Sequence, residues 1–136
     1  MKEYVLDANA LVRLFRNAPG ADTVDALIRQ AKSGRAHLSI SVINLAEVLY
    51  ILARYFGQEK ALVCLEKARR VAESIPVDEE AALEAGILRV RFKLGLADCF
   101  AAELAMRTKA TLVTADPDFV KLGKQLKVLA LPRYSA

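Results

Sequence analysis

The 136-residue chain is poor in the residues on which much metal and redox chemistry rests. It has one histidine, His37, and two cysteines, Cys64 and Cys99. A lone histidine ahead of the short apolar run LSIS reads as a surface or strand-edge residue. It makes a two-histidine nuclease or a histidine-rich zinc centre a poor fit. Two widely separated cysteines build neither a disulfide framework nor a zinc knuckle, and each sits in an apolar helical pattern as a small buried hydrophobe. No uninterrupted apolar stretch reaches the ~18 residues of a membrane span. The start, MKEYVLD, meets acidic and polar residues too soon for a signal peptide. A cytoplasmic protein with no membrane partner is the expectation. Repeats, low-complexity segments and linkers are missing too, so one domain over residues 1–136 is expected.

What is present is apolar and mildly basic. Hydrophobic residues make up 54% of the chain, and the net charge is +4 with a pI near 9.2. That balance permits a nucleic-acid partner without requiring one. Short apolar runs at residues 3–6, 37–40, 74–77, 111–114 and 127–130 read as strands buried on both faces. Helical patterns lie between them at 9–16, 22–33, 42–56, 58–73, 79–94, 98–108 and 117–123. Ser41 and Asp78 stand where helix N-caps belong, Gly57 follows a helix, and Asp116-Pro117 opens another. Strands alternating with helices predict an α/β fold with a parallel sheet covered on both faces. In such folds ligands bind outside the carboxyl ends of the strands, near the point where strand order reverses.

Four acids fall at that end of the chain's pattern. Asp7 directly follows the first strand in EYVLDAN, and Asp116 follows the fourth in LVTADPDF, with Asp118 two residues on. Glu47 interrupts the apolar helix SVINLAEVLYILA, and Asp98 stands near a helix start in GLADCFAAELA. Each has an ordinary reading. Asp7 and Asp116 can be helix caps, Asp98 can answer a helix dipole, and Glu47 with Asn44 and Arg54 can form a solvated stripe. Together they are harder to explain that way, because the strands contribute almost no other acids.

The order and spacing of VLDAN, NLAEV, GLADCFAAELA and LVTADPDF resemble the PIN-domain family of metal-dependent ribonucleases over nearly the whole chain. The size looks most like the VapC-type toxins of toxin–antitoxin pairs. The resemblance implies a three-layer α/β sandwich with a five-stranded parallel sheet in the order 3-2-1-4-5 and about seven flanking helices. It also implies that Asp7, Glu47, Asp98 and Asp116 are catalytic and hold Mg²⁺ or Mn²⁺. Asp118 would assist, and Asn9 and Thr114 would orient water or a neighbouring carboxylate. An RNA substrate, a VapB-type antitoxin and a homodimer follow as expected partners. A non-toxin RNA-processing nuclease and a catalytically silent RNA- or protein-binding relative remain alternatives.

The chemistry suits these residue types. A divalent metal neutralises an anionic phosphodiester, supplies a nucleophile at neutral pH and stabilises the leaving oxygen. Mg²⁺ prefers carboxylates and retained waters. Two carboxylates about 4 Å apart repel by roughly 4 kcal/mol at an effective dielectric near 20. A cluster of them is hard to justify as structure alone. Arg13, Arg16, Lys121 and Lys124 lie near the acidic motifs and are candidates for substrate contact. Other folds with strand-end acids fit less well. A haloacid-dehalogenase-type phosphatase needs D-x-D, where this chain has Asp7-Ala8-Asn9. A receiver-type module needs a pair of acids where only Asp7 stands, and no G-x-G-x-x-G follows the first strand. The apolar helices over 42–56 and 58–73 are expected to leave a groove and a self-association surface.

Overall fold

The computed structural model describes residues 1–132. Five strands, β1 (Lys2–Leu6), β2 (Ala36–Ser41), β3 (Glu73–Ile75), β4 (Thr111–Thr114) and β5 (Val128–Ala130), pair in parallel in the order β3-β2-β1-β4-β5. Parallel neighbours need crossovers. These are supplied by α1 (Ala8–Arg16), α2 (Ala21–Lys32), α3 (Val42–Phe56), α4 (Gln58–Arg69), α5 (Glu79–Phe92), α6 (Leu96–Thr108) and a 3₁₀ helix over Pro117–Gln125. The five strands and seven helices among the described residues make the expected three-layer sandwich, in the PIN-like order.

Strand periodicity splits the core in two. Tyr4 and Leu6 point to one face with Leu38, Ile40 and Val113, where α1 to α4 cover them through Leu11, Val24, Val48, Leu52 and Ala61. Val5 and Leu112 point to the other, under Leu88 of α5, the alanines of α6 and Phe119 and Leu122 of the 3₁₀ helix. The run Ala101, Ala102, Ala105 gives α6 a surface without bulk, so it packs close to the sheet. Register sets Leu6 beside Val113, so β1 and β4 end side by side and the residues following them, Asp7 and Ala115-Asp116, emerge at the same edge.

Local chemistry sets the boundaries. The Ser41 hydroxyl accepts from the Ile43 N–H at 3.2 Å and starts α3, and the Asp78 carboxylate accepts from the Ala81 N–H at 2.8 Å and starts α5. Gly57, at φ 87°, closes α3 in a conformation that a side chain would strain. Several boundaries differ from the sequence reading by a residue or two, and three elements depart further or in type. The helix expected over 58–73 ends at Arg69, and the strand expected over 74–77 is Glu73–Ile75, because Pro76 has no N–H for the ladder. The segment expected as a helix over 117–123 is 3₁₀ to Gln125, broken at Gly123 by φ 56° and ψ −132°.

Cys64 and Cys99 are buried free thiols, as their apolar setting implied. His37 does more than sit at a strand edge. Its ring nitrogens lie 2.7 Å from Glu3 Oε2 and 2.9 Å from Glu73 Oε1, joining β1, β2 and β3 at the amino end of the sheet.

Candidate active site

At the opposite end the acids meet. Asp7 directly follows β1, is 2% exposed, and caps α1 by accepting the Ala8 N–H at 2.8 Å on Oδ1. Its other oxygen is also fixed. Oδ2 accepts from Thr114 Oγ1 at 2.7 Å and from Asn9 Nδ2 at 3.1 Å. Asn9 Nδ2 also donates to Thr114 Oγ1 at 3.1 Å, and Asn9 Oδ1 accepts the Ala115 N–H at 3.0 Å. The Asp116 N–H donates to Thr114 Oγ1 at 3.0 Å. One small network thus ties the end of β1 to the end of β4.

Asp116 is half-buried and caps the 3₁₀ helix, accepting the Asp118 N–H at 2.9 Å. Asp118 itself is exposed and supplies that backbone donor. Asp98 lies in the first turn of α6 and Glu47 in the second turn of α3, both half-buried. The ordinary readings of Asp7, Asp116 and Asp98 therefore hold as local structure, and the same three residues still converge.

Electrostatics show the convergence. Burial pushes the Asp7 carboxyl up to about 6, with the charges of Glu47 and Asp116 adding to the shift and the bonds from Thr114 and Ala8 opposing it. Asp98 is pushed up to about 7, first by burial and then by the charges of Asp7, Asp116 and Glu47, with a hydrogen bond to Asp116 favouring its protonated form. The charges of Glu47 and Asp116 thus bear on both Asp7 and Asp98, and that of Asp7 bears on Asp98.

Sequence reasoning missed two contributors. Asn44 was grouped with Glu47 and Arg54 as a solvated stripe, but it is fully buried, while Arg54 is exposed. The signal was its place one turn before Glu47 in an otherwise apolar helix. Gly95 was not singled out. A Cβ there would stand 3.2 Å from Asp98 Oδ2, so the glycine leaves room for that carboxylate.

Among the basic candidates, Arg13 is a correction. It is buried and donates to the Pro19 carbonyl at 3.0 Å and to the Pro132 carbonyl, fastening the chain after β5 rather than facing a substrate. Arg16 is exposed and lies over the Tyr55 ring, 3.6 Å from its centroid. Lys121 and Lys124 are exposed on the 3₁₀ segment.

The donor set suits a hard divalent ion. It is all oxygen, and the charges of Asp7, Asp116 and Glu47 disfavour the charged form of Asp98. As the side chains stand, no group of three or more His, Cys, Asp or Glu among the described residues is drawn together tightly enough to hold an ion directly.

The sequence model of the PIN domain matches residues 4–125. The chain belongs to the PIN-domain family. Solved structures with this fold include VapBC2 from Rickettsia felis, bound to a DNA fragment from its promoter. That match has a TM-score of 0.76 and 25% identity, covering 96% of this chain and 99% of the other. A second is VapBC-5 from Mycobacterium tuberculosis, a member of the VapBC family of toxin–antitoxin systems, at TM-score 0.63 and 19% identity, covering 96% and 99%. A third is the sarcin-ricin loop cleaving VapC toxin of the same organism, at TM-score 0.73 and 18% identity, covering 96% and 100%. No curated protein is significantly similar in sequence. Together these similarities support a VapC-type PIN domain. Among the described residues, no helix is long and apolar enough to cross a membrane.

Proposed function

We propose that this chain, over residues 1–136, is one Mg²⁺- or Mn²⁺-dependent endoribonuclease domain acting in the cytoplasm, and the toxin of a toxin–antitoxin pair. The observation that carries the reading is the pair of raised carboxyls, Asp7 and Asp98, buried at the carboxyl end of the sheet where the charges of Glu47 and Asp116 bear on both. These four residues would hold the ion, which when bound neutralises a phosphodiester and makes water a competent nucleophile at neutral pH. Asp7 enters with its orientation already fixed by Ala8, Thr114 and Asn9. Little reorganisation of that carboxylate is then needed at the reaction. Asp116 is held through its own backbone by Thr114, so the two strand-end acids share one anchor. Asp118 assists at the rim. Arg16, Lys121 and Lys124 offer positive charge for the RNA backbone.

Two surfaces support the expected protein partners. A 280 Å³ groove between α1, α2 and α4 is floored by Leu11, Leu14, Phe15, Ile28 and Val71 and rimmed by Lys32, Lys67 and Arg70. An amphipathic antitoxin segment fits that chemistry. On α5, Leu83, Ile87 and Val90 form an exposed stripe at helical spacing, a surface for the homodimer. Of the two helices expected from the sequence to leave these surfaces, α3 and α4, only α4 borders the groove, and Leu49 of α3 and Leu65 of α4 pack against the first core.

The test is cleavage of a mixed RNA pool. Wild type is expected to cut with Mg²⁺ or Mn²⁺ and not in chelator, and Asp7→Asn is expected to lose the activity while keeping its fold. Metal-independent cutting, or an Asp7→Asn protein as fast as wild type, would overturn the assignment. A protein that binds RNA or a protein partner without cutting would favour the silent relative.

A further inference from the structure

Asn44 is the only buried polar side chain of α3, with an exposure of 0%, on a helix whose other fully enclosed residues are Val48 and Leu52. Its amide makes two bonds with one nitrogen. Nδ2 donates to Glu47 Oε1 at 2.9 Å and to the Ala97 carbonyl at 3.1 Å. The two acceptors fix the amide's orientation, since turning it over would set Oδ1 against a carboxylate and a carbonyl. Oδ1 then faces away and has no hydrogen-bond partner among the described residues. A buried acceptor left without a donor is a cost that ordinary packing removes, so its retention asks for a reason.

The two bonded groups supply one. Glu47 is a site acid on α3, and Ala97 immediately precedes Asp98 on α6. One amide therefore holds a carboxylate from the first layer against the helix start that carries a carboxylate from the other. The helices reach the site from opposite faces of the sheet, and hydrophobic packing alone does not set the position of a side chain as long as glutamate.

We propose that Asn44 is a positioning residue of the site, setting Glu47 relative to Asp98 by donating to Glu47 Oε1 and the Ala97 carbonyl. The inference rests on the reading of the four acids as one metal-binding cluster. It assigns Asn44 no contact with substrate. It states that the residue acts through Glu47 and the α6 start.

The experiment is a double-mutant cycle on Mn²⁺ affinity, read by calorimetry on the full chain without RNA. Asn44→Leu keeps the branching of the side chain and removes the donor at the cost of two bulkier methyl groups, and Asn44→Ser is the smaller second variant. In the Glu47 background either change is expected to weaken Mn²⁺ binding about tenfold, the usual size for a residue that orients a metal-binding carboxylate. In the Glu47→Gln background the same change should cost about threefold or less, because most of its action has already been removed. Equal losses in the two backgrounds, or no loss in either, would overturn the proposal. So would failure of both variants to fold, since a positioning residue leaves the scaffold standing. Asp7→Asn is measured alongside. If it binds Mn²⁺ as wild type does, the cluster reading fails, which is a different result from an Asn44 variant that binds normally while Asp7→Asn does not.

Discussion

The two ends of the sheet treat their acids in opposite ways. At the amino end, Glu3 and Glu73 lie on either side of the chain's one histidine, and His37 bonds both. The carboxylates there favour the charged imidazole, and its pKa is raised, chiefly by the bond to Glu3. At the carboxyl end, Asp98 is surrounded by the charges of Asp7, Asp116 and Glu47, and its own pKa rises to about 7. The first arrangement stabilises the chain as it stands. The second destabilises it unless a cation arrives. Acids matched by a cation within the fold are structure, and acids set against one another at a sheet's carboxyl end are the mark of a site.

Activity should break the comparison most sharply. Asp7→Asn is expected to lower RNA cleavage about a thousandfold, the several kcal/mol that metal assistance supplies. Glu3→Gln at the other end should leave the rate within about twofold in the same assay, as expected of a surface change far from the chemistry.

The next effect is on stability in chelator. The folded pKa of Asp98 lies above its ordinary value of 3.8, near 7. Between those values folding takes up a proton, so this group lowers stability as pH rises from about 4 to about 7, and its cost is fully present above that range. Asp98→Asn should therefore be more stable than wild type by about 2 kcal/mol at pH 8, with part of the full shift screened by solvent, and the gap should close towards pH 4. Denaturant melts of both proteins across that range read it directly. A gap that widens on acidification would reverse the sign and sink the account.

Much of this was legible beforehand. The strands, the flanking helices and the position of Asp7 after β1 follow from apolar runs and alternation, because burying strands on both faces leaves a clear pattern, whereas the strand order was implied only by the resemblance to the PIN-domain family. The ends of α4 and β3 were set from the apolar pattern, which runs on past Arg69 and across Pro76, whereas the helix stops at Arg69 and the ladder stops before the proline. The role of Arg13 was hidden for a related reason. A basic residue near an acidic motif looks the same in sequence whether it meets solvent or, as here, the carbonyls of Pro19 and Pro132. Asn44 was misread because a three-residue spacing from Glu47 fits a solvated stripe as well as a buried bond, and only the packing of α3 against α6 distinguishes them.

A smaller change sharpens the carboxyl end. Thr114→Val removes the 2.7 Å bond to Asp7 and the acceptor for Asp116 and Asn9. Cleavage should fall about tenfold, while Thr114→Ser, which keeps the hydroxyl, should stay within about twofold of wild type. Equal rates in both variants would show that the network does not position the acids.

The smallest effect belongs to the amino end. Because the folded pKa of His37 is raised above 6.5, its stabilisation is fully present below that value and is lost as pH rises through the folded pKa. The pairs are partly exposed, so His37→Gln should cost under about 1 kcal/mol at pH 5.5 and nothing measurable at pH 9. An equal cost at both pH values would mean that the imidazole acts by packing and not by charge.

The central claim is that Asp7, Glu47, Asp98 and Asp116 form one shared cation site. The most direct measurement is the rise in melting temperature on adding Mn²⁺ to chelator-treated protein at pH 7.5, compared among wild type, Asp7→Asn, Glu47→Gln, Asp98→Asn and Asp116→Asn. Wild type should gain several degrees, roughly the 2–3 kcal/mol expected of a ligand present at about a hundred times its Kd. Each variant should lose most of that gain. Equal rises in wild type and all four variants would contradict a shared site.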